Sequence, residues 1–215
     1  MSRVKVKICG VRTLKEAEAA IEAGADALGF NFWPRSPRFI VPGEAREIAE
    51  RLSPLVSLVG VFVNEDRERI IETAALVGLH AIQLHGDEPP AFCKEFGSLR
   101  VIKALRVGES FDCREIAKYA VSMILLDTNL KGSYGGTGQR FDWRMAIEAK
   151  GYAPLMLAGG LRLENVAEAI TTVGPAAIDV CSGIEAEPGR KDLHKLREFM
   201  LEVARANALI SSDID

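Results

Sequence analysis

Two residues that each end a short apolar segment are suited to proton-transfer chemistry. Cys9 follows residues 4–8, where apolar and charged side chains alternate, and Asp127 follows the apolar residues 123–126. A thiolate can remove a proton and a carboxyl group can supply one, provided that their surroundings separate their pKa values. A free cysteine is often only a small buried side chain, and an aspartate after a strand is often a turn residue. The pair is therefore a candidate base and acid only if the fold brings both side chains to one place.

Lys7 lies on the same face of the first predicted strand as Cys9, because alternate residues of a strand share a face. A neighbouring ammonium group lowers the pKa of a thiol from about 8.5 towards neutrality. We therefore predict that Lys7 helps to ionise Cys9. Cys93, Cys113 and Cys181 lie on or near predicted helices or after the last predicted strand. For these three residues we predict buried structural roles.

Two glycine-containing segments follow the seventh and eighth predicted strands. They contain Gly159, Gly160, Ser182 and Gly183. Glycine lets backbone N–H groups approach a ligand closely, and the loops after strands seven and eight of a (β/α)8 barrel frequently bind phosphate. One glycine pair usually forms only a turn, but two at these positions predict a phosphate site. We expect Asp179 to brace the second loop from within the barrel.

Four other polar residues are candidates for substrate binding. Arg35 and Arg38 lie in a proline-stiffened loop, and an arginine there could bind a carboxylate through two nitrogens, although exposed arginines are normally only solvated. Gln83 and His85 share strand parity at the end of the fourth predicted strand, so both should face the same site. His85 could act as a base or a metal ligand. Because no Asp, Glu or His partner stands at ligand spacing, we predict no metal.

The elements that must position these residues repeat along the chain as a strand followed by a helix. Eight such units in 215 residues take roughly 27 residues each, and crossovers of this length connect parallel neighbours. We therefore predict a single-domain α/β protein, a (β/α)8 TIM barrel over residues 1–207 with a frayed tail over residues 208–215. An open doubly wound sheet is the alternative. In a barrel, all the strand ends named above meet at one face.

Several helix boundaries are predicted from local signals. Helix four begins at residues 88–90 with proline in its first turn, helix five covers residues 111–119, and the last helix covers residues 192–207. A glycine-rich loop over residues 132–138 precedes helix six, which is predicted over residues 142–150.

Composition excludes several classes of protein. The chain is 48% hydrophobic and 27% charged, as expected of a globular protein with a substantial core. A net charge of −3 indicates no nucleic-acid partner, and no apolar run approaches the ~20 residues that cross a bilayer. The N-terminus lacks the apolar region of a signal peptide. The four cysteines include no C-x-x-C pair, so we predict free thiols in a reducing cytoplasm.

Many short motifs stand in order and at barrel spacing along the chain. They are residues 7–10 (KICG), 24–30 (GADALGF), 36–38 (SPR), 60–64 (GVFVN), 83–86 (QLHG), 125–127 (LLD), 135–138 (GGTG), 141–143 (FDW), 158–161 (AGGL), 179–185 (DVCSGIE) and 188–192 (PGRKD). Together these motifs resemble the phosphoribosylanthranilate isomerase family of tryptophan biosynthesis. The resemblance runs from Val4 to about Phe199. The chain departs from it slightly at Cys181, where serine or a small residue is also usual, and at Arg190, where lysine is common.

This resemblance implies an Amadori rearrangement of N-(5-phosphoribosyl)anthranilate to 1-(2-carboxyphenylamino)-1-deoxyribulose 5-phosphate, without a cofactor or metal. It also implies that Cys9 is the general base, that Asp127 is the general acid and that Arg38 holds the anthranilate carboxylate. The remaining expected contacts to the substrate are from Gln83, His85 and Asp179, and those to its phosphate are from Gly159, Gly160, Ser182 and Gly183. The only expected ligand is this small phosphorylated substrate, and the expected assembly is a monomer or a homodimer.

Two other functions remain possible for such a sequence. One is another phosphosugar isomerase or epimerase on the same barrel, although those enzymes typically pair two aspartates or use a metal. The other is a non-catalytic barrel that binds a phosphorylated ligand, which would need neither Cys9 nor Asp127. The presence of both residues favours the isomerase.

Overall fold

The computed structural model describes residues 3–108, 111–128 and 143–212, which form a closed barrel of eight parallel strands. The strands are β1 (Lys5–Cys9), β2 (Ala27–Asn31), β3 (Ser57–Phe62), β4 (Ala81–Leu84), β5 (Arg100–Val107), β6 (Met123–Thr128), β7 (Leu155–Leu157) and β8 (Ala177–Val180). Each strand pairs with its neighbours in sequence order, and β8 pairs with β1. The predicted (β/α)8 TIM barrel is confirmed, and the open-sheet alternative is wrong.

In the described part of the chain, six α-helices and a small hairpin accompany the barrel. The helices are α1 (Leu14–Glu22), α2 (Pro42–Ala49), α3 (Arg67–Val77), α4 (Trp143–Ala149), α5 (Val166–Val173) and α6 (Leu193–Ser212). The hairpin pairs β9 (Glu185–Glu187) with β10 (Arg190–Lys191) in antiparallel fashion. It directly follows β8, so it lies at the face where the strands end.

The start of α1 shows how local sequence fixes one of these elements and ties it to the hairpin. Thr13 accepts a hydrogen bond from the Glu16 backbone N–H at 3.2 Å, and the Glu16 carboxylate accepts one from the Thr13 N–H at 3.2 Å. This is the reciprocal capping box that the Thr-x-x-Glu spacing predicts. Glu16 Oε1 also accepts a hydrogen bond from the Lys191 backbone N–H at 2.9 Å, which holds β10 against α1.

The core has two parts, as expected for a barrel whose helices surround it. One lies between the strands and the helices. The smaller part fills the barrel interior, where its members are Val59, Ala81, Ile102, Ala104, Leu125, Met156, Ala158 and Ala177. Two lysines are also buried inside and are paired with carboxylates: Lys7 with Asp179 at 2.9 Å, and Lys103 with Glu88 at 2.6 Å. Such pairing offsets part of the cost of burying the charges.

The two connections that flank β5 differ from the prediction, because their described residues form a 3-10 helix in each case and no α-helix. Between β4 and β5 this helix covers Phe92–Lys94, and between β5 and β6 it covers Cys113–Lys118. Prolines at residues 89–90 lack the N–H groups that a helix would use, and Gly97 adopts a φ of +57°, which limits the first helix. Asp112 precedes the second 3-10 helix and accepts a hydrogen bond from the Arg114 N–H at 2.9 Å. This bond starts the second helix with a tight turn.

The last helix is longer than predicted, since α6 continues to Ser212 rather than ending at Asn207. Ile210 packs against the core, which explains why the helix extends into the predicted tail. The Asn207 side chain accepts a hydrogen bond from the Val4 N–H at 2.8 Å and donates one to the Val4 carbonyl at 3.2 Å.

Residues 213–215 and the predicted loop over residues 132–138 lie outside the described residues. No helix in the described part of the chain is long and apolar enough to span a membrane.

Candidate active site

A cavity opens at the face where the C-terminal ends of the strands meet. Nine of the ten residues predicted for the site line it: Cys9, Arg38, Gln83, His85, Asp127, Gly159, Gly160, Asp179 and Ser182. The tenth, Gly183, follows Ser182 but does not line the cavity. Arg35 does not line it either, because its guanidinium lies 5.6 Å from the centre of the Trp33 ring. The fold thus gathers residues from five strand ends (β1, β4, β6, β7 and β8) and from the loop after β2.

Cys9 lies at the end of β1 above a buried ion pair. Lys7 Nζ donates a hydrogen bond to Asp179 Oδ1 at 2.9 Å, and both residues are almost fully buried. Burial opposes a charge on Lys7, but Asp179 and Cys9 outweigh this effect and raise the pKa of Lys7. Burial raises the pKa of Asp179 to about 6, with Lys7 opposing the shift. The lysine therefore stays protonated beneath the thiol.

The Cys9 sulfur has a second thiol beside it. Cys181 stands next to Cys9 in the pairing of β8 with β1, and its own Sγ lies 3.7 Å from Glu185 Oε1. The neighbouring Cys181 thiol, followed by the Lys7 charge, lowers the pKa of Cys9 despite its burial. The neighbouring Cys9 sulfur and burial raise the pKa of Cys181. Lys191 Nζ lies 3.5 Å from Cys181 Sγ. The prediction of a buried structural role is wrong for Cys181, whereas Cys93 and Cys113 are indeed buried away from the cavity.

Asp127 belongs to a chain of three polar side chains on the opposite side of the cavity from β1. His85 Nε2 lies 3.2 Å from Asp127 Oδ2, and His85 Nδ1 lies 2.8 Å from Gln83 Nε2. Gln83 is fully buried, and its Oε1 has no hydrogen-bond partner in the described part of the chain. Over the same ranges, no three His, Cys, Asp or Glu side chains converge as metal ligands. His85 is therefore engaged with the carboxyl group and the amide on its two sides.

Arg38 reaches the cavity from the loop after β2 and is held by the hairpin. Its Nε and Nη2 donate to the two carboxylate oxygens of Glu185 at 2.9 and 2.8 Å. Lys191 Nζ also lies 3.1 Å from Glu185 Oε1. The bond from Arg38 and the positive charges outweigh burial and lower the pKa of Glu185. A carboxylate that bridges two cations fixes the direction in which Arg38 points.

The two glycine loops touch each other at the rim. Gly159 and Gly160 adopt φ values of +82° and +67°, which L-residues with a side chain rarely adopt. A Cβ added to Gly183 would lie only 2.0 Å from the carbonyl oxygen of Leu161, so only glycine fits where the loops meet. Asn165 Nδ2 donates to the Gly160 carbonyl at 3.0 Å and fixes the first loop. Gly183 thus brings the loops together although it does not line the cavity.

Sequence reasoning missed three residues of this site: Cys181, Glu185 and Lys191. Cys181 directly follows β8, and Glu185 and Lys191 belong to the β9–β10 hairpin. A signal was present, since Glu185 and Lys191 carry opposite charges on either side of the turn-forming Pro188-Gly189 pair. The signal gave no indication that the hairpin contacts Arg38 and Cys181.

Comparison with known proteins identifies the family to which this site belongs. A family model described as N-(5'-phosphoribosyl)anthranilate isomerase matches residues 6–202. The chain belongs to the N-(5'-phosphoribosyl)anthranilate isomerase family. The isomerase of Citrifermentans bemidjiense is 50% identical over 206 residues, which cover 96% of this chain and 99% of that protein.

Two solved structures of such isomerases also resemble the chain. One is a complex with reduced 1-(o-carboxyphenylamino)-1-deoxyribulose 5-phosphate, with a TM-score of 0.85 and 42% identity over 94% of this chain and 99% of the other. The other shows monomers generated from the dimeric isomerase of Thermotoga maritima, with a TM-score of 0.81 and 40% identity over the same shares of the two chains. The anthranilate isomerase family that the sequence motifs indicated is therefore confirmed, together with its barrel.

Proposed function

We propose that this chain converts N-(5'-phosphoribosyl)anthranilate into 1-(o-carboxyphenylamino)-1-deoxyribulose 5-phosphate in tryptophan biosynthesis. Membership of the isomerase family supports this reaction. The observation that carries the residue assignment is that Cys9, with a lowered pKa, and Asp127 line one cavity whose rim contains both glycine loops. This arrangement provides a base, an acid and a phosphate subsite in one place.

The first step needs a proton on the ring oxygen of the aminosugar. We assign this proton to the Asp127 carboxyl group, whose Oδ2 also contacts His85. Protonation lets the ring open to a Schiff base between the anthranilate nitrogen and C1 of the sugar. The positive charge on that nitrogen then makes the hydrogen on C2 acidic, so the second step needs only a modest base.

The second step is removal of the C2 hydrogen by the Cys9 thiolate. Lys7 lies beneath the sulfur, and the neighbouring Cys181 thiol and the Lys7 charge lower the pKa of Cys9, so the thiolate is stabilised before substrate arrives. Loss of the C2 proton gives an enolamine, and transfer of a proton to C1 with loss of the proton from the C2 hydroxyl yields the C2 ketone of the product. No electrons leave the substrate overall, because C1 is reduced as C2 is oxidised.

The cavity also suggests how the two ends of the substrate are held. The loops at Gly160 and Ser182 would bind the phosphate through backbone N–H groups. Arg38 would bind the anthranilate carboxylate through Nη1, since Nε and Nη2 are paired with Glu185. The two charged ends of the substrate are thereby fixed on opposite sides of the reacting carbons.

Gln83, His85 and Asp179 were predicted to contact the substrate, but their hydrogen bonds suggest supporting roles. His85 contacts Asp127, and Gln83 contacts His85. Asp179 accepts a hydrogen bond from Lys7. We therefore assign Gln83 and His85 to the support of the acid, and Asp179 to the support of the base.

The deciding experiment measures turnover of phosphoribosylanthranilate generated in situ, in the presence of a chelator, by the loss of its fluorescence. Cys9→Ala and Asp127→Asn should each lower kcat by about 100-fold or more, because each removes one proton-transfer group. Thr171→Ala, on the exposed side of α5, is the matched control and should retain the parent rate. If both site variants turn over like the parent, the acid–base assignment is wrong.

A second arm of this experiment tests the rival phosphosugar reactions. Turnover of the related histidine-pathway aminoaldose phosphate, with none of the anthranilate derivative, would reassign the substrate. Binding of phosphorylated ligands without turnover of either compound would indicate a non-catalytic barrel.

We place the chain in the cytoplasm as a monomer or homodimer, supported by its four free cysteines and by the dimeric relative.

A further inference from the structure

The cavity contains two thiols on adjacent, paired strands. β1 and β8 run parallel with Lys7 opposite Asp179 and Ile8 opposite Val180, so the next residues along the two strands are Cys9 and Cys181. Neighbouring strands lie about 4.8 Å apart, which falls within the Cα–Cα range of about 4.4–6.8 Å found in disulfides. A Cβ built on Gly10, the residue after Cys9, would lie 3.2 Å from Cys181 Sγ, and both cysteines line the same cavity. The backbone therefore holds this pair close enough for a bond between the sulfurs.

Nearby cations prepare one of the two thiols to react. Lys7 lies beneath Cys9, and Lys191 lies 3.5 Å from Cys181 Sγ. Arg38 packs close to the same point, since a Cβ on Gly10 would meet Arg38 Cδ at 3.0 Å and Cys181 Sγ at 3.2 Å. A thiolate in positive surroundings is the form of cysteine that reacts with peroxides. Lys191 and Arg38 lie against Cys181, so these cations make the whole pair electropositive. Because the pKa of Cys9 is lowered and that of Cys181 is raised, Cys9 is the attacking sulfur and Cys181 the neighbour that resolves its oxidised form.

Both sulfurs are reachable from the cavity that would admit the substrate. Cys9 and Cys181 line it, and Cys181 is only partly buried. Hydrogen peroxide is much smaller than a phosphorylated sugar, so an open site admits it. Cys93 and Cys113 are buried, and burial raises the pKa of each. They provide internal controls for selectivity.

We propose that Cys9 and Cys181 form a peroxide-oxidised dithiol, a modification site that reversibly switches the isomerase off. The Cys9 thiolate attacks one oxygen of hydrogen peroxide, which breaks the O–O bond, forms a sulfenic acid and releases hydroxide. The Cys181 sulfur then attacks the sulfenic sulfur, and the sulfenic OH leaves as water with the Cys181 proton. The hydroxide from the first step takes up the proton that Cys9 lost when it ionised. Overall, two thiols lose two electrons, and one peroxide is reduced to two waters.

Formation of the disulfide inactivates the enzyme and also protects Cys9 from irreversible oxidation. A disulfide removes the thiolate that we assign as the base, so turnover stops. It also prevents Cys9 from advancing to the sulfinic acid, which most cells cannot reverse. A small dithiol restores both thiols by exchange. Adjacent parallel strands hold the bond in a constrained geometry, which favours this reduction.

The test counts thiols after treating the whole chain with a small excess of hydrogen peroxide. The oxidised protein is denatured, alkylated and analysed by mass spectrometry before and after reduction with dithiothreitol. The parent should lose about 2 Da, keep two alkylatable thiols and yield one peptide pair that joins Cys9 to Cys181. Cys93→Ala should form the same bond. Four alkylatable thiols, or a bond that involves another cysteine, would refute the proposal.

A variant separates the resolving role of Cys181 from simple oxidation of Cys9. In Cys181→Ser, peroxide should leave a sulfenic acid on Cys9 that reacts with dimedone and then gains further oxygen. Dithiothreitol should restore activity to the oxidised parent but not to this variant. Equal recovery of both proteins would contradict the proposal. The thiol count requires no turnover, so it remains decisive even if the proposed isomerase reaction is wrong.

Discussion

His85 Nε2 lies 3.2 Å from Asp127 Oδ2, and this contact links the end of β4 to the end of β6. It ties the candidate acid to an imidazole whose other nitrogen faces the amide of Gln83 at 2.8 Å. The proton on Asp127 is therefore coupled to the tautomer of His85. When Asp127 donates to Nε2, Nδ1 carries the other proton and needs an acceptor, which the Oε1 of Gln83 provides if the amide is reversed.

The first prediction concerns this support of the acid. His85→Ala should lower kcat by about 10- to 100-fold, because a hydrogen bond to an ionisable group contributes about 1.5–3 kcal/mol. KM should change less, since Arg38 and the glycine loops remain in place. Steady-state kinetics check this through separate values of kcat and KM. His194→Ala, on exposed helix surface, is the control. A variant altered only in KM would make His85 a substrate contact instead.

The second prediction concerns the lysine beneath the thiol. Lys7→Met should raise the pKa of Cys9, because a positive charge that stabilises the thiolate is lost. Activity at pH 7 should fall by about 10- to 100-fold. The rate at which iodoacetamide alkylates Cys9, followed by mass spectrometry as a function of pH, reports the thiol directly. Lys5→Met, on the same strand but with an exposed side chain, should leave that profile unchanged. An unshifted profile in Lys7→Met would exclude the proposed role.

The third prediction concerns pH and stability. Folding raises the pKa of Asp179 from 3.8 to about 6, so the folded state binds this proton more tightly than the unfolded state does. Stability from this group is present at low pH and is lost as pH rises from about 4 to 6, by roughly 3 kcal/mol. Asp179→Asn should therefore show a smaller loss of unfolding free energy than the parent over that window. Denaturant unfolding at several pH values measures it, and parallel curves would contradict the raised pKa.

The fourth prediction concerns the meeting point of the glycine loops. Gly183→Ala places a Cβ 2.0 Å from the Leu161 carbonyl oxygen, so the loops must separate. We expect KM for the substrate and the inhibition constant for inorganic phosphate to rise by roughly tenfold or more, with a smaller effect on kcat. Gly43→Ala is the matched control, because a Cβ there meets nothing within 4 Å and α2 gains a better helix former. Unchanged phosphate inhibition in Gly183→Ala would move the phosphate site elsewhere.

The parts of the site that were predictable from sequence are those set by local patterns. Strand parity placed Lys7 and Cys9 on one face, and the apolar run before Asp127 placed it at a strand end. Both signals lie within a few residues of the side chains that they concern. The eightfold repeat then supplied the face at which the strand ends meet.

The parts that were not predictable depend on how distant segments meet. Cys181 lies 172 residues after Cys9, and only the register of β8 against β1 brings the sulfurs together. Glu185 reaches Arg38 because the β9–β10 hairpin folds over the barrel mouth, which no short-range pattern specifies. The predicted helices on either side of β5 were wrong for a different reason. Prolines and the short length of each connection favour 3-10 helices there.

The Lys7–Asp179 pair joins the first strand to the last, which are 172 positions apart in the chain. A polypeptide still being synthesised has no counter-ion for that lysine and no neighbour for Cys9 until its final quarter has emerged. Until then Cys9 is an ordinary protonated thiol and a weak nucleophile. Its reactivity arises only when β8 pairs with β1 and closes the barrel, so Cys9 in an unfinished or truncated chain remains unreactive.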